Sequence, residues 1–131
     1  MLINKLNNLI FLINQTKSLN KNFFFILKTP ELLQIIKILQ EERCVNFYKI
    51  IKKTDNKTYL QIYINNHANF ELFSLASNYQ QYFFKIHFLQ KYVFSTIRLK
   101  LFLNTKNGIL RDFDAIKQNL GGTPLFGIKY L

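Results

Sequence analysis

The polar residues with the clearest chemical potential follow an apolar run near the end of the chain. They are Asn104, Thr105, Lys106, Asn107 and Gly108. Hydroxyl, amide and ammonium groups in such a segment do not break bonds, but they hydrogen-bond phosphates, 2′-hydroxyls and base edges. On composition alone, an ordinary surface connector would contain the same residues. The sequence therefore allows two interpretations of this segment, a connector and a nucleic-acid contact.

The remaining reactive side chains do not form a catalytic or metal-binding motif. Cys44 is the single cysteine, which excludes an internal disulfide and a cysteine-built metal site. Because no histidine-bearing motif accompanies it, Cys44 is expected to be a small buried hydrophobe. His67 stands alone, and Glu41 and Glu42 are adjacent on a predicted helix, where neighbours do not face each other. We therefore expect no enzyme activity, cofactor, metal or small-molecule substrate.

The charge balance indicates the kind of partner. The chain has 131 residues, with 18 Lys and Arg against 7 Asp and Glu, a formal net charge of +11. Hydrophobic residues make up 49%, which is enough for the core of one compact domain or two small ones. A positive excess favours polyanionic partners, with nucleic acid first and an anionic membrane surface second.

Amino-acid usage bears on the place of synthesis. The chain is rich in Phe, Ile, Leu, Lys, Asn and Tyr, with four Gly and no Trp, the pattern of AT-rich codons. Organellar genomes commonly show this skew, although an AT-rich bacterium could produce it too. Residues 1–15 lack arginine and have periodic apolar positions, so they resemble a packed helix more than an import signal. We expect a protein made inside the mitochondrion and located in its matrix.

Two apolar runs limit the prospect of a membrane span. They are Leu9–Ile13 and Phe23–Leu27, and both fall far below the roughly 20 residues that a transmembrane helix needs. We therefore expect no membrane span. A basic peripheral membrane protein remains an alternative, because the net charge and an apolar N-terminal helix would both suit it.

The first half of the chain predicts the element order α-β-α-β-β. Apolar residues recur at helical spacing over 2–18, and residues 23–27 form a continuous apolar strand. Thr29 as N-cap and Pro30 at the first helical position start a helix over 30–43. Strands over 45–52 and 58–64 form a hairpin. Its turn contains Thr54, Asp55 and Asn56, all of which favour turns.

The second half predicts a mostly antiparallel β-sheet with one short helix. Apolar residues alternate over 82–88 and 97–103, which indicates two strands. A helix is predicted from Asp112 as N-cap to Asn119, which tolerates a left-handed conformation. Gly121 and Gly122 then turn the chain into a last strand over 123–131. The expected fold is α+β with two subdomains, 1–66 and 67–131.

Residues 103–122 resemble the C-terminal signature of small-subunit ribosomal protein eight of the bacterial type. That family has a Ser-Thr-Ser-Lys-Gly turn, then an Asp, an Ala-Arg pair and a Leu-Gly-Gly-Glu. The matching positions are Thr105, Gly108, Asp112, Ala115, Leu120, Gly121 and Gly122. The substituted positions are Asn104, Lys106, Asn107, Ile116 and Thr123. Residues 39–45, LQEERCV, resemble the family's Leu-Lys-Glu-Glu-Gly-Phe-Ile, whereas residues 78–85 do not match its Ser-x-Pro-Gly-x-Arg-x-Tyr.

The resemblance implies a structural RNA-binding protein of the mitochondrial small ribosomal subunit. Its partners would be a central-domain stem of the small-subunit rRNA and neighbouring small-subunit ribosomal proteins. The implied RNA-binding residues are Asn104, Thr105, Lys106, Asn107, Gly108, Gly121, Gly122, Thr123, Lys17, Lys21, Lys28 and Thr29. Lys17 and Lys21 could equally be simple solvated lysines. The membrane alternative does not explain the signature over 104–122.

Two further expectations concern the aromatic residues and the turn. The aromatic residues follow core-facing periods, so we expect them to serve the core and protein contacts rather than base stacking. Alanine at Thr105 and Lys106 is expected to weaken rRNA binding and to leave thermal stability nearly unchanged.

Overall fold

The computed structural model describes residues 2–52, 56–75 and 99–131, which contain three helices and seven strands. The elements in chain order are α1 (Leu2–Ser18), β1 (Phe23–Leu27), α2 (Pro30–Glu41), β2 (Val45–Lys52), β3 (Thr58–Ile64), β4 (Phe70–Ser74), β5 (Leu99–Thr105), β6 (Gly108–Arg111), α3 (Asp112–Lys117) and β7 (Thr123–Tyr130). The predicted α+β class is confirmed. The chain divides into two compact units, Met1–Asn69 and Phe70–Leu131, where the sequence placed the division between 66 and 67.

In the first unit, two amphipathic helices form a core with one sheet. The apolar stripe of α1 is buried, with Leu6, Leu9 and Ile13 fully covered. Helix α2 begins as predicted, because the Thr29 hydroxyl accepts a hydrogen bond from the Leu32 N–H at 3.3 Å and Pro30 occupies the first position. The buried residues of α2 are Leu32, Ile35, Ile36 and Leu39.

The sheet of the first unit is antiparallel, in the order β1-β3-β2. Ile26 pairs with Leu60 and Phe24 pairs with Ile62, and all four are buried on the face that packs against the helices. The predicted strands 23–27, 45–52 and 58–64 are confirmed. Asn56 adopts a φ of 63°, as a turn residue can, whereas Thr54 and Asp55 lie outside the described residues.

All three helices end with the same hydrogen-bond pattern around a residue in the left-handed region. At the end of α2, Arg43 has a φ of 63°, and its N–H donates to the Gln40 carbonyl at 3.1 Å. The Cys44 N–H donates to the Leu39 carbonyl at 2.9 Å, which completes a Schellman motif. Asn20 and Asn119 take the same position after α1 and α3. Helix α2 therefore ends at Glu41, two residues before the predicted end.

Arginine is a poor residue for this position, because its Cβ opposes the left-handed conformation that glycine adopts freely. We expect Arg43→Gly to increase the free energy of unfolding by about 1 kcal/mol. Arg43→Ala is the matched control, since it removes the same charge and keeps the Cβ. Urea titration of both variants checks the effect, and equal stability of the two would show that the backbone at residue 43 is not strained.

In the second unit, four strands form an antiparallel sheet in the order β4-β7-β5-β6. The predicted strand over 82–88 lies outside the described residues, and that over 97–103 is described from Leu99 onward. The alternation expected in β5 is wrong at Phe102, because Leu101, Phe102 and Leu103 are all buried. Leu103 packs with Ala115 of α3, while the Phe102 ring stacks on Phe126 with centroids 4.8 Å apart. Both faces of the strand are therefore covered.

The last strand, β7, is central in this sheet and begins at Thr123 as predicted. Pro124 lies second in the strand, opposite Leu103 and next to an irregularity in the β5–β7 register. A proline there cannot donate to a ladder hydrogen bond, so its place near the strand's start agrees with the prediction.

Candidate nucleic-acid interface

The segment 104–108 forms the end of a tight β-hairpin. Strand β5 continues through Asn104 and Thr105, and β6 begins at Gly108, so that the turn itself contains only Lys106 and Asn107. The predicted five-residue turn is therefore too long. Thr105 pairs with Gly108, and the positive φ of the hairpin, 97°, falls on Gly108. Glycine adopts this conformation without the strain that a Cβ causes.

The hydroxyl of Thr105 closes this turn. It accepts a hydrogen bond from the Asn107 N–H at 3.2 Å and donates one to the Gly108 carbonyl at 2.8 Å. Both partners lie within the turn, so the hydroxyl's single proton is already engaged there. Thr105 therefore shapes the loop that presents Lys106, and its hydroxyl keeps only acceptor capacity for a ligand.

Asn107 connects the hairpin to α3. Its Nδ2 donates to Oε1 of Gln118 at 2.9 Å, and Gln118 is the C-cap residue of that helix. Below this contact, Leu103 and Ala115 form a small buried cluster with Leu110 and Ile116 packed against it. The hairpin is thus held to the helix at its tip and its base. The sequence analysis did not identify Gln118, because no local pattern links residues eleven positions apart on different elements.

Gly122 brings the second predicted segment, 121–123, against the first. A Cβ on Gly122 would lie 2.8 Å from the Asn104 carbonyl oxygen and 2.9 Å from Cγ2 of Thr105. The neighbouring Thr123 pairs with Asn104 across the β5–β7 ladder. The two segments, which are separated in sequence by α3, therefore form one surface. We call it the hairpin surface, and its members are Asn104, Thr105, Lys106, Asn107, Gly108, Gly121, Gly122 and Thr123.

Exposure on the hairpin surface is uneven. Asn104, Lys106, Asn107 and Gly108 are exposed, whereas Gly122 is buried beneath them. No heavy atom outside its chain neighbours lies within 4 Å of a Cβ built on Gly108, so the backbone is open to close approach. The exposed groups are two amides and one ammonium, which can donate hydrogen bonds to phosphate and hydroxyl oxygens.

The four candidates in the first unit differ in what their polar groups do. The Lys17 ammonium donates a hydrogen bond to the Ala68 carbonyl, and its partial burial lowers the pKa of Lys17 from its ordinary value. Lys17 therefore joins α1 to the segment after β3. The Thr29 hydroxyl serves as the N-cap of α2, and Lys28, which is half-buried, donates its N–H to the Thr58 carbonyl at 2.9 Å. Lys21 is exposed.

Asp112 has a role that differs from the prediction. Arg111, not Asp112, occupies the N-cap position of α3 and makes no side-chain cap. Asp112 is the first helical residue and is buried, and its Oδ1 accepts a hydrogen bond from the Phe113 N–H at 2.8 Å. Nε of Arg111 is 3.5 Å from the same oxygen. The predicted left-handed Asn119 is confirmed, although the helical residues end at Lys117.

Burial raises the pKa of Asp112 above its ordinary value, because desolvation of the carboxylate outweighs its hydrogen bond and the nearby Arg111. The folded state then binds a proton more tightly than the unfolded chain, so stability decreases as pH rises from the unfolded pKa through the folded one. We expect Asp112→Asn to lose this dependence and to gain stability over the wild type as pH rises to neutrality. Thermal unfolding of the variant and the wild type between pH 3 and pH 7 measures this difference in stability.

The control for this prediction is Asp114→Asn, an exposed carboxylate on the same helix. It should change stability little, and it should leave the pH dependence caused by Asp112 in place. If Asp112→Asn were instead less stable than the wild type at neutral pH, the ionised carboxylate would be a net stabilising group.

The other reactive residues lie apart from the hairpin surface along the chain. Cys44 is fully buried, as predicted, and its Sγ donates a weak hydrogen bond to the Glu42 carbonyl at 3.9 Å, while His67 is exposed. Over residues 2–52, 56–75 and 99–131, no three His, Cys, Asp or Glu side chains come together in a group that could hold a metal ion.

Comparison with known proteins leaves the chain without a family assignment. No protein-family model matches it, and no curated protein matches it either.

Proposed function

We propose that this chain is a structural constituent of the mitochondrial small ribosomal subunit. It binds a central-domain stem of the small-subunit rRNA through the hairpin surface and supports subunit assembly and translation, with neighbouring ribosomal proteins as further partners. The observation that carries the proposal is the meeting of residues 104–108 and 121–123. These segments also carry the resemblance to small-subunit ribosomal protein eight, and the exposed groups they present suit an RNA backbone.

The end of α2 is compatible with the resemblance. In the sequence LQEERCV, Arg43 stands where the resembled family has glycine. The backbone at Arg43 has a φ of 63°, a conformation that favours glycine. The chain thus keeps the backbone geometry that a glycine would explain, although the side chain has changed. Since α1 and α3 end in the same way, this geometry agrees with the likeness over 39–45 but does not distinguish it from an ordinary helix end.

The hairpin surface suggests how a stem would be bound. Lys106 at the tip neutralises a phosphate, while the amides of Asn104 and Asn107 can hydrogen-bond 2′-hydroxyls in a wide, shallow minor groove. Gly108 allows the RNA backbone to approach closely. The net charge of +11 supplies a longer-range attraction. Binding of this kind recognises shape more than sequence.

Neutralising one lysine tests the proposal. We expect Lys106→Gln to weaken binding to the central-domain stem and to reduce the slope of log K against log salt concentration by about 1. Lys129→Gln is the matched control, because Lys129 is exposed on β7 of the same unit, near the other end of that strand. Filter binding at several salt concentrations measures both. Equal slopes for the two variants, or no preference of the wild type for this stem, would contradict the proposal.

Cell fractionation separates this function from peripheral membrane attachment. Within the described parts of the chain, no helix is long and apolar enough to cross a membrane. A ribosomal protein should sediment with small-subunit rRNA through salt washes of an organellar lysate. Release from membranes by salt, without rRNA, would favour the membrane alternative.

A further inference from the structure

The sheet of the first unit has an open face that the core does not use. Helices α1 and α2 pack against one side of this sheet, and alternate residues of its three strands point to the other. We call this other side the aromatic face. Its members are Phe23, Phe25, Leu27, Phe47, Lys49, Ile51, Tyr59, Gln61 and Tyr63. The expectation that the aromatic residues serve the core is confirmed for Phe24 of this sheet but not for the rings of the aromatic face, and the expected protein contacts stay a prediction.

Four rings form a continuous strip across this face. Phe47 and Tyr63 stack with centroids 4.2 Å apart and planes inclined by 20°. Tyr63 also contacts Phe23 at 5.4 Å, and Phe23 meets Phe25 edge-on at 5.6 Å. Even so, Phe23, Phe25 and Phe47 remain 41%, 43% and 43% exposed. A large part of each of these three rings is therefore accessible to a ligand.

A lysine lies in the middle row of the aromatic face, on the edge strand β2. Lys49 occupies the middle row with Gln61 and Phe25, and its Nζ lies 5.5 Å from the Tyr63 centroid and 5.9 Å from that of Phe47. None of the nine residues of the face is acidic.

This combination discriminates between two kinds of partner. The core of a protein–protein interface is typically depleted in lysine, whereas here the Lys49 ammonium lies over two of the rings. Rings beside a cation, without carboxylates, match the needs of a polyanion that also carries flat apolar groups. Unpaired nucleic-acid bases stack on aromatic side chains, and lysines neutralise the phosphates between them.

We propose that the aromatic face binds single-stranded RNA. Unpaired bases stack on Phe25 and Phe47 at the two sides of the strip, while Lys49 contacts a phosphate. This inference goes beyond the stem contact of the hairpin surface and does not depend on it, because it concerns different residues and unpaired rather than duplex RNA.

The test uses the full chain and a fluorescently labelled oligouridylate of about ten nucleotides, a length within the range that one such surface spans. We expect the double variant Phe25→Leu/Phe47→Leu to bind it roughly tenfold more weakly than the wild type. Leucine keeps apolar bulk in the strands but offers no ring. The matched control is Phe11→Leu, which removes a ring that is 60% exposed on α1. It should bind like the wild type.

Two further measurements keep the result interpretable. Phe47→Tyr retains a ring and should retain affinity, which separates stacking from a folding defect. An oligomer with abasic sites keeps the phosphates but has no bases to stack. The wild type should lose roughly tenfold in affinity for it, while the double leucine variant should lose little more.

The outcomes separate this inference from the proposed function. If the double variant binds the oligomer as tightly as Phe11→Leu does, single-stranded RNA is not the ligand. The face would then be a docking surface for a protein. Binding to the rRNA stem should be unchanged in the double variant, and binding to the oligomer should be unchanged in Lys106→Gln. Loss of stem binding alone would overturn the proposed function and leave this inference standing.

Discussion

Replacing Gly122 by alanine is expected to destabilise the protein by about 2–3 kcal/mol. The new Cβ would lie 2.8 Å from the backbone oxygen of Asn104, a distance too short for a carbon atom, and 3.1 Å from Cβ of Leu103, which is a tight contact. A backbone oxygen in a strand ladder cannot rotate away, so the end of β5 and the start of β7 must separate. Urea-induced unfolding, with circular dichroism as the readout, measures the loss.

A second substitution tests the cause. Part of the clash involves Cγ2 of Thr105, at 2.9 Å from the added Cβ. Thr105→Ser removes that methyl group and keeps the hydroxyl, so it should relieve some of the strain. The cost of Gly122→Ala should therefore be smaller in the Thr105→Ser background than in the wild type. Identical costs in the two backgrounds would show that this contact is unimportant.

Under the proposed function, Gly122→Ala should also impair RNA binding. Gly122 holds residues 121–123 against residues 104–108, and separating them divides the hairpin surface. We expect binding to the central-domain stem to weaken in Gly122→Ala even at temperatures where the variant is fully folded. Arg43→Gly provides a contrast. It should stabilise the first unit, and it should leave stem binding unchanged because Arg43 is not part of the hairpin surface.

Local sequence rules predicted the helices and most strands well. The N-cap at Thr29 and the apolar stripe of α2 depend on neighbours within one or two turns, and the structure confirms both. The left-handed Asn119 was likewise predictable, because asparagine tolerates that conformation. These features follow from short-range sterics and hydrogen bonding, which the sequence records directly.

Features that depend on contacts distant in sequence were not predictable. The run Phe23–Leu27 is apolar at every position, so it does not reveal which side faces the helices and which forms the aromatic face. Phe102 looked like an outward residue until its contact with Phe126 was known. Lys17 resembled a solvated lysine, although its ammonium binds a carbonyl 51 residues further along the chain.

The candidate site shows both situations. Residue types predicted that 104–108 would be polar and turn-forming, and the identity of Gly108 agreed with its positive φ. Residue types did not predict that Asp112 would be buried, because the same carboxylate would cap a helix if it lay one position earlier. They also did not predict that the hydroxyl of Thr105 would have both its partners inside the turn.

Because the Thr105 hydroxyl makes two hydrogen bonds within the hairpin, replacing Thr105 should lower the stability of the protein. Thr105→Val preserves the shape of the side chain and its preference for a strand, but it removes the hydroxyl. The turn would lose the hydrogen bond from the Asn107 N–H and the one to the Gly108 carbonyl. We expect the free energy of unfolding to fall by about 1–3 kcal/mol, since two bonds are lost and each contributes about 0.5–1.5 kcal/mol. The earlier expectation of nearly unchanged stability would then apply to Lys106 alone.

Comparing three variants separates the structural role of the turn from its role in binding. Thr105→Ser keeps both hydrogen bonds and should approach wild-type stability, with only the cost of a lost methyl group. Lys106→Gln should weaken stem binding at unchanged stability, because Lys106 is exposed. Thr105→Val should lower both the stability and the affinity for the stem, since a loosened turn no longer holds Lys106 in place. If Thr105→Val kept full stability yet lost stem binding, the hydroxyl would contact RNA directly, and its bonds within the turn would be dispensable.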